Sequence, residues 1–196
     1  MMSFASGASL PQSPQRVGRG VHRGPPNLCR VPNPTHPRLL LITTFGLGKM
    51  RPASGTWGSM PPVVLAAAMI ASGLSAQGLW FHLVLAAVAL FFSVACLLQG
   101  DEAEGKWGKD PSNAVADETA GQCFSLMFLP AAATATWPMV IFSLGFAFVT
   151  FRVLDIVKPW PARQLQRLPA GLGILIDDLI AGLYAAVVVQ IVLRMV

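Results

Sequence analysis

Acidic residues are scarce in this chain: nine among 196, and none before Asp101. Charged residues of both signs make up only 12%, about half of what a soluble domain carries. A solvated globular surface is therefore excluded for most of the sequence. Cysteine is equally sparse. Cys29, Cys96 and Cys123 stand too far apart for a CxxC pair, which argues against a disulfide framework or a cysteine zinc site. Cys96 and Cys123 fall in apolar runs, where packing accounts for them. Of the three histidines, His22 and His36 lie in a polar stretch, and His82 stands alone in an apolar one, where a hydrogen-bonded structural role is the ordinary explanation. The basic residues form no dense patch and no aromatic interleaving, which counts against nucleic acid as a partner.

What is abundant is apolar. Hydrophobic residues make up 54% of the chain and mean hydropathy is +0.58, the composition of a membrane protein. The length fits one domain and a tail. Residues 1–37, rich in Pro, Gly, Ser and Arg without apolar periodicity, read as a disordered tail, leaving 38–196 as the membrane domain. Within it come a Gly- and Pro-rich stretch at 43–62 and apolar runs at 61–76 and 79–98. The second run is long enough to span a bilayer. A polar loop follows at 99–121. The apolar region 122–151 is broken by Pro130 and Pro138 into two segments or a kinked hairpin. A second polar loop runs from Arg152 to about Gly173, and a last helix starts near Asp177.

The expected fold is all-α, a multi-pass membrane bundle of four or five apolar helices. If 61–98 and 122–151 are each a hairpin, the Gly-rich stretch and both polar loops share one face. That face then carries 13 of the 14 Lys and Arg residues, all but Arg194. The positive-inside bias places it in the cytoplasm.

The placement of the carboxylates is informative. Asp101, Glu102, Glu104 and Asp110 sit in a hydrophilic loop as solvated charges. Asp117, Glu118, Asp155, Asp177 and Asp178 instead abut apolar segments, where ionisable groups are expensive and mark functional sites. Capping of a helix start would explain one Asp of each adjacent pair. Two ionised neighbours in a low-dielectric site repel unless a cation holds them. Arg152, Asp155 and Lys158 recur at a spacing of three, along one helix face, either as a salt-bridge ladder or as phosphate and metal ligands. An all-oxygen set suits Mg²⁺, with Mn²⁺ as a substitute, better than zinc or copper. Magnesium bridging carboxylates to a substrate phosphate is an arrangement for phosphoryl transfer.

The 43–62 stretch offers a phosphate cradle: Gly46, Gly48, Gly55 and Gly58 for close approach of backbone amides, Thr56 and Ser59 as hydroxyl donors, Lys49 and Arg51 for charge. Neither a P-loop nor a dinucleotide fingerprint is present. Lipid phosphatases with a histidine nucleophile are disfavoured, because no second His accompanies His82.

At these residues the chain resembles the phosphatidylglycerophosphatase A family. The matching pieces are FGLG…PASGTWGS at 45–59, ADETAG at 116–121, FRVLDIVKPWP at 151–161 and GLGILIDDLIAG at 171–182. The resemblance implies magnesium-dependent hydrolysis of phosphatidylglycerophosphate to phosphatidylglycerol and inorganic phosphate, in phosphatidylglycerol and cardiolipin synthesis at the bacterial inner membrane. It implies Asp117, Glu118, Asp155, Asp177 and Asp178 as metal ligands. Asp155, Asp177 and Asp178, with Lys158 and Arg152, would be catalytic, and the attacking group either water or a carboxylate. Ala116, Ala170 and the TAGQCF run depart from the family's pattern at packing positions. Two other expectations fit the same residues: a small cation- or proton-coupled transporter, and an inactive relative that binds anionic lipid.

Overall fold

A computed structural model of the chain describes residues 37–108, 111–165 and 170–195. The tail expected at 1–37 lies outside them, apart from Pro37, which opens a short 3-10 turn. Among the described residues there are α1 (Ser54–Ala71), α2 (Leu79–Trp107), α3 (Ala116–Ser125), α4 (Trp137–Val157), the single turn α5 (Ala162–Leu165) and α6 (Ala170–Leu193), with short 3-10 turns and no strand. The all-α membrane fold expected from the sequence is what the chain adopts.

Three helices, α2, α4 and the 171–193 part of α6, are long and apolar enough to cross a membrane. The fourth long helix, α1, is diluted by its start, SGTWGSMPP. Gly and Pro are poor helix formers, yet the stretch expected as a loop to residue 62 is helical from Ser54. Tertiary contact explains this. Gly55 and Gly58, one turn apart, let α1 press onto the start of α3, where an added Cβ at Gly58 would meet Val115 and Glu118. Pro61 and Pro62 lie inside α1. Pro62 has no N–H, so the Gly58 carbonyl has no intrahelical donor. The Thr119 hydroxyl donates to it instead, at 2.7 Å. The hydroxyl's single proton is thereby committed, so Thr44 is the donor in the 3.0 Å Thr44–Thr119 bond.

The polar loop expected at 99–121 is mostly helix. α2 continues two turns past Leu98, because Gln99 accepts from the Ile42 backbone N–H at 3.1 Å and Ala103 is fully buried. It stops at Gly108, whose φ of 91° is one that L side chains resist. α3 then begins at Ala116, its first amides satisfied by the Ile42 carbonyl. Ten residues make it about 15 Å long, half a bilayer core. α3 is polar and small-residued, and it packs against α1, α2, α4 and α6 at the bundle's centre.

Where α3 ends, the backbone of 127–129 would be unsatisfied in an apolar medium. His82 and two glutamines answer for it. The Phe128 N–H donates to His82 Nε2 (3.1 Å), which makes Nδ1 the protonated nitrogen, donating to the Gly78 carbonyl at 2.8 Å. Gln190 donates to the Met127 and Phe128 carbonyls, and Gln77 to that of Leu129. His82 is structural, as its isolation in the sequence suggested.

Apolar burial drives helices into lipid but does little to join them there, so association rests on close packing. The most extensive contact is between α3 and α6. An added Cβ at Gly182 would collide with the Gly121 carbonyl, and one at Gly121 would lie 2.5 Å from the Asp178 carbonyl oxygen.

Candidate functional site

The second carboxylate pair is not at a helix start. α6 begins at Ala170, seven residues before Asp177, so Asp177 and Asp178 sit within the helix and cannot cap it. The expected start near Asp177 treated GLG at 171–173 as loop. Instead Gly171 permits contact with the α2 backbone at Cys96, where a Cβ would clash. Asp117 and Glu118 occupy the first turn of α3, whose N-cap is Val115 without a side-chain bond. Neither pair caps a helix through its side chains. α4 ends at Val157, and Lys158 closes it in the left-handed region (φ 48°) before Pro159. That turn carries the ammonium away from the α4 face and onto Asp177, whose Oδ2 accepts from Nζ. The expected alignment of Arg152, Asp155 and Lys158 on one face therefore holds for the first two only.

All five carboxylates converge. Asp117, Glu118, Asp155, Asp177 and Asp178 line one cavity of about 270 Å³, together with Lys158, Ile156 and the Pro111–Ser112–Ala114 edge. Asp117, Asp155, Asp177 and Asp178 are each less than a tenth exposed. The carboxyls of Asp155 and Asp178 stand within hydrogen-bonding reach of each other. Burial raises the Asp117 carboxyl well above the usual carboxylate range, and Glu118, Asp177 and Asp155 add to the effect. Burial also pushes Glu118 up to about 7, although the Arg152 guanidinium pulls the other way.

Arg152 does not line the cavity. It stands behind it, with Nη1 2.9 Å from Asp155 Oδ2 and 3.2 Å from Glu118 Oε1. It joins α4 to α3 through these two carboxylates. Because the pairs are little exposed, solvent screens them weakly. Arg152→Ala is expected to cost about 2 kcal/mol of stability, read as a lower melting temperature in detergent. Arg152→Lys should recover only part, since a compact, strongly hydrated ammonium is harder to desolvate between two carboxylates than a guanidinium. An unchanged melting temperature in Arg152→Ala would contradict this role.

The residues expected as a phosphate cradle stand apart from the cavity. None of Gly46, Gly48, Gly55, Thr56, Gly58 and Ser59 is among the described residues that line the cavity. Ser59 is fully buried and donates to the Gly55 carbonyl at 2.9 Å, a bond within its own helix. Gly48 packs on the Asn113 backbone. Gly55 and Gly58 back the Glu118 carboxylate: an added Cβ at Gly55 would strike both Glu118 and Arg152. These glycines hold the wall of the site; they do not face its contents.

Two features escaped the sequence. The Thr119–Gly58–Thr44 network ties the Glu118 turn to α1, and its only signal was a Thr following the Asp-Glu pair. The Pro111–Ser112 edge is the other, held where the Ser54 hydroxyl donates to the Ser112 carbonyl at 2.6 Å.

Whether the cavity suits a divalent cation can be tested on its oxygens. Five carboxylates meet two cationic side chains, Lys158 and Arg152. Among the described residues, buried Asp117 Oδ1, Glu118 Oε2 and Asp178 Oδ2 have no hydrogen-bond partner. Buried acceptors left so are costly, and a hard cation satisfies them. The chemistry fits. The spacing does not yet match: among the described residues no three acidic, His or Cys side chains stand close enough together to hold a metal ion.

Comparison with known proteins agrees with this constellation. The family model described as phosphatidylglycerophosphatase A matches residues 40–193. A phosphatidylglycerophosphatase A of Haemophilus influenzae is 35% identical over 158 residues, covering 80% of this chain and 87% of that protein. The Escherichia coli K12 protein of the same name is 33% identical over 158 residues, covering 80% and 82%. A Bacteroides thetaiotaomicron protein provisionally named a phosphatidylinositol-3-phosphatase is 30% identical over 153 residues, covering 78% and 91%. No solved structure matches the chain.

Proposed function

Because the chain belongs to the phosphatidylglycerophosphatase A family, a family of lipid phosphatases, we propose that it hydrolyses phosphatidylglycerophosphate to phosphatidylglycerol and inorganic phosphate, with Mg²⁺ as cofactor. The observation that carries the reading is the convergence of five carboxylates, four of them buried, and Lys158 on one cavity at the end of helices apolar enough to span a membrane. A membrane-embedded site suits a substrate whose acyl chains stay in the bilayer. The excess of Lys and Arg in the flanking segments supports a cytoplasmic orientation at the bacterial inner membrane, where the product would feed phosphatidylglycerol and cardiolipin synthesis.

Asp117, Glu118, Asp155, Asp177 and Asp178 are the residues that would hold the metal. Bound there, Mg²⁺ would supply Lewis-acid polarisation of the phosphoryl oxygens and a more acidic water. The chain's own groups do the rest. Lys158 Nζ, aimed by the left-handed turn and held on Asp177, offsets charge on the phosphoryl group. Arg152 keeps Glu118 and Asp155 at fixed distance from α1. The close-packed helices keep bulk water from the cavity floor. In hydrolysis an O–P bond forms from water, the ester P–O bond breaks, and the glycerol oxygen leaves as an alcohol.

The test is phosphate release from phosphatidylglycerophosphate in detergent micelles, with Mg²⁺ and with EDTA. Release that depends on Mg²⁺ and stops in EDTA is the expected result. The Bacteroides relative makes phosphatidylinositol-3-phosphate the comparison substrate, and a preference for it would move the substrate assignment within the same chemistry. No release from either lipid by folded protein, with ion flux in reconstituted vesicles, would replace the enzyme by a transporter.

A further inference from the structure

One wall of the cavity differs in character from the others. Its acidic floor is buried, yet Ile156, between Asp155 and the end of α4, lines the same cavity and is 73% exposed. α4 is one of the three helices long and apolar enough to cross a membrane, and Ile156 stands exposed in its last turn. On either side of Lys158, Val157 and Trp160 are also largely exposed. Trp160 is not left to swing. Its carbonyl accepts from Tyr184 Oη at 3.0 Å, and Tyr184 sits seven residues past Asp177 on α6, about 10 Å further along the helix. The bond holds the connection after α4 against α6.

We infer that the cavity opens sideways into the membrane past Ile156, and that Ile156 is a specificity-determining residue contacting the glycerol ester and first acyl carbons of a lipid phosphomonoester. This rests on the phosphatase reading and extends it to how the substrate arrives. A phosphate at the carboxylate floor leaves the diacylglycerol end at the rim, and an apolar rim residue in contact with lipid matches that end. A water-soluble phosphomonoester of the same head group has nothing to place there. The segment discriminates by what is attached to the head group, while Lys158 and the carboxylates act on the phosphate alone.

The experiment compares wild type, Ile156→Asn and Ile156→Leu on two substrates: dioleoyl phosphatidylglycerophosphate in mixed micelles, and its deacylated, water-soluble counterpart. Ile156→Asn is expected to raise KM for the diacyl lipid about tenfold with kcat little changed. It should leave kcat/KM for the soluble ester within about twofold, and Ile156→Leu should behave as wild type. Equal losses on both substrates, or no loss on the lipid, overturn the opening. A measurement that needs no turnover stands beside it. Phosphatidylglycerophosphate carrying a diazirine in one acyl chain is photolysed with the full-length protein and the adducts are mapped. Labelling within 156–160 is expected, and labelling confined to other surfaces overturns the inference. Labelling at 156–160 by a protein that releases no phosphate would sink the phosphatase reading and leave the lipid-facing opening in place.

Discussion

Replacing Asp178 by Asn is expected to lower phosphate release by about three orders of magnitude, roughly 4 kcal/mol of transition-state stabilisation. The side chain is almost fully buried at the cavity floor, within reach of Asp155, and its Oδ2 has no partner among the described residues. Asn keeps shape and volume while removing the charge that would bind a cation. The substitution should not harm the metal-free fold, because it takes one negative charge out of a crowded acidic cluster. The melting temperature in EDTA is therefore expected to stay level or rise. Mg²⁺ should raise the melting temperature of wild type by binding only the folded state, and that increment should shrink in the variant. Activity lost with the Mg²⁺ increment intact would remove Asp178 from the ligand set. A large drop in metal-free stability would make its role structural.

The second large effect concerns packing. Gly121→Leu is expected to abolish the folded state in detergent, and Gly121→Ala to cost about 1–3 kcal/mol. At Gly121 the obstacles are the Asp178 carbonyl and the Phe151 ring, and Gly182 meets the Gly121 backbone in return. Backbone atoms cannot rotate aside as the end of a side chain can. Any accommodation must part α3 from α6, which carry Asp117 and Glu118 on one side and Asp177 and Asp178 on the other. Gly121→Ala should therefore lose more activity than its melting temperature alone would suggest. Thermal melts and phosphate release measured on the same preparation check both halves. A Gly121→Leu protein with wild-type melting would show that the two helices are not held by this contact.

The carboxylates were legible because they are rare. Among nine acidic residues, the five beside apolar runs are the five that line the cavity. Helix boundaries were less legible, for a shared physical reason. Gly55, Gly58 and Gly171 look like loop or ligand-cradle glycines in one dimension. Each is instead a place where a neighbouring segment leaves no room for a Cβ, through side chains at Gly55, side chains and backbone at Gly58, and backbone at Gly171, information that resides in the partner. Residues 99–107 looked like loop because they are charged, yet Ala, Glu and Lys are good helix formers and only one side of that segment needs to be dry. Arg152 carried the right charge for a phosphate, and nothing local revealed that Glu118, 34 positions earlier, would take it. Lys158 was identified by type, but its direction depends on one left-handed residue before a proline.

The brevity of α3 bears on how the protein is made. A helix of ten residues bearing Asp117 and Glu118 cannot settle in lipid by itself: it is too short to cross, and each carboxylate costs roughly 3 kcal/mol at mid-membrane depth. It has to wait at the surface after synthesis while α4 is inserted. Only when α6, which follows α3 and α4 in the chain, brings Gly182 for Gly121 to rest on is the wall complete enough for α3 to sink. The same docking event brings Asp177 and Asp178 to Asp117 and Glu118. Insertion of α6 and assembly of the acidic cluster are thus one step, and a nascent chain carries no complete acidic cluster until α6 is in place.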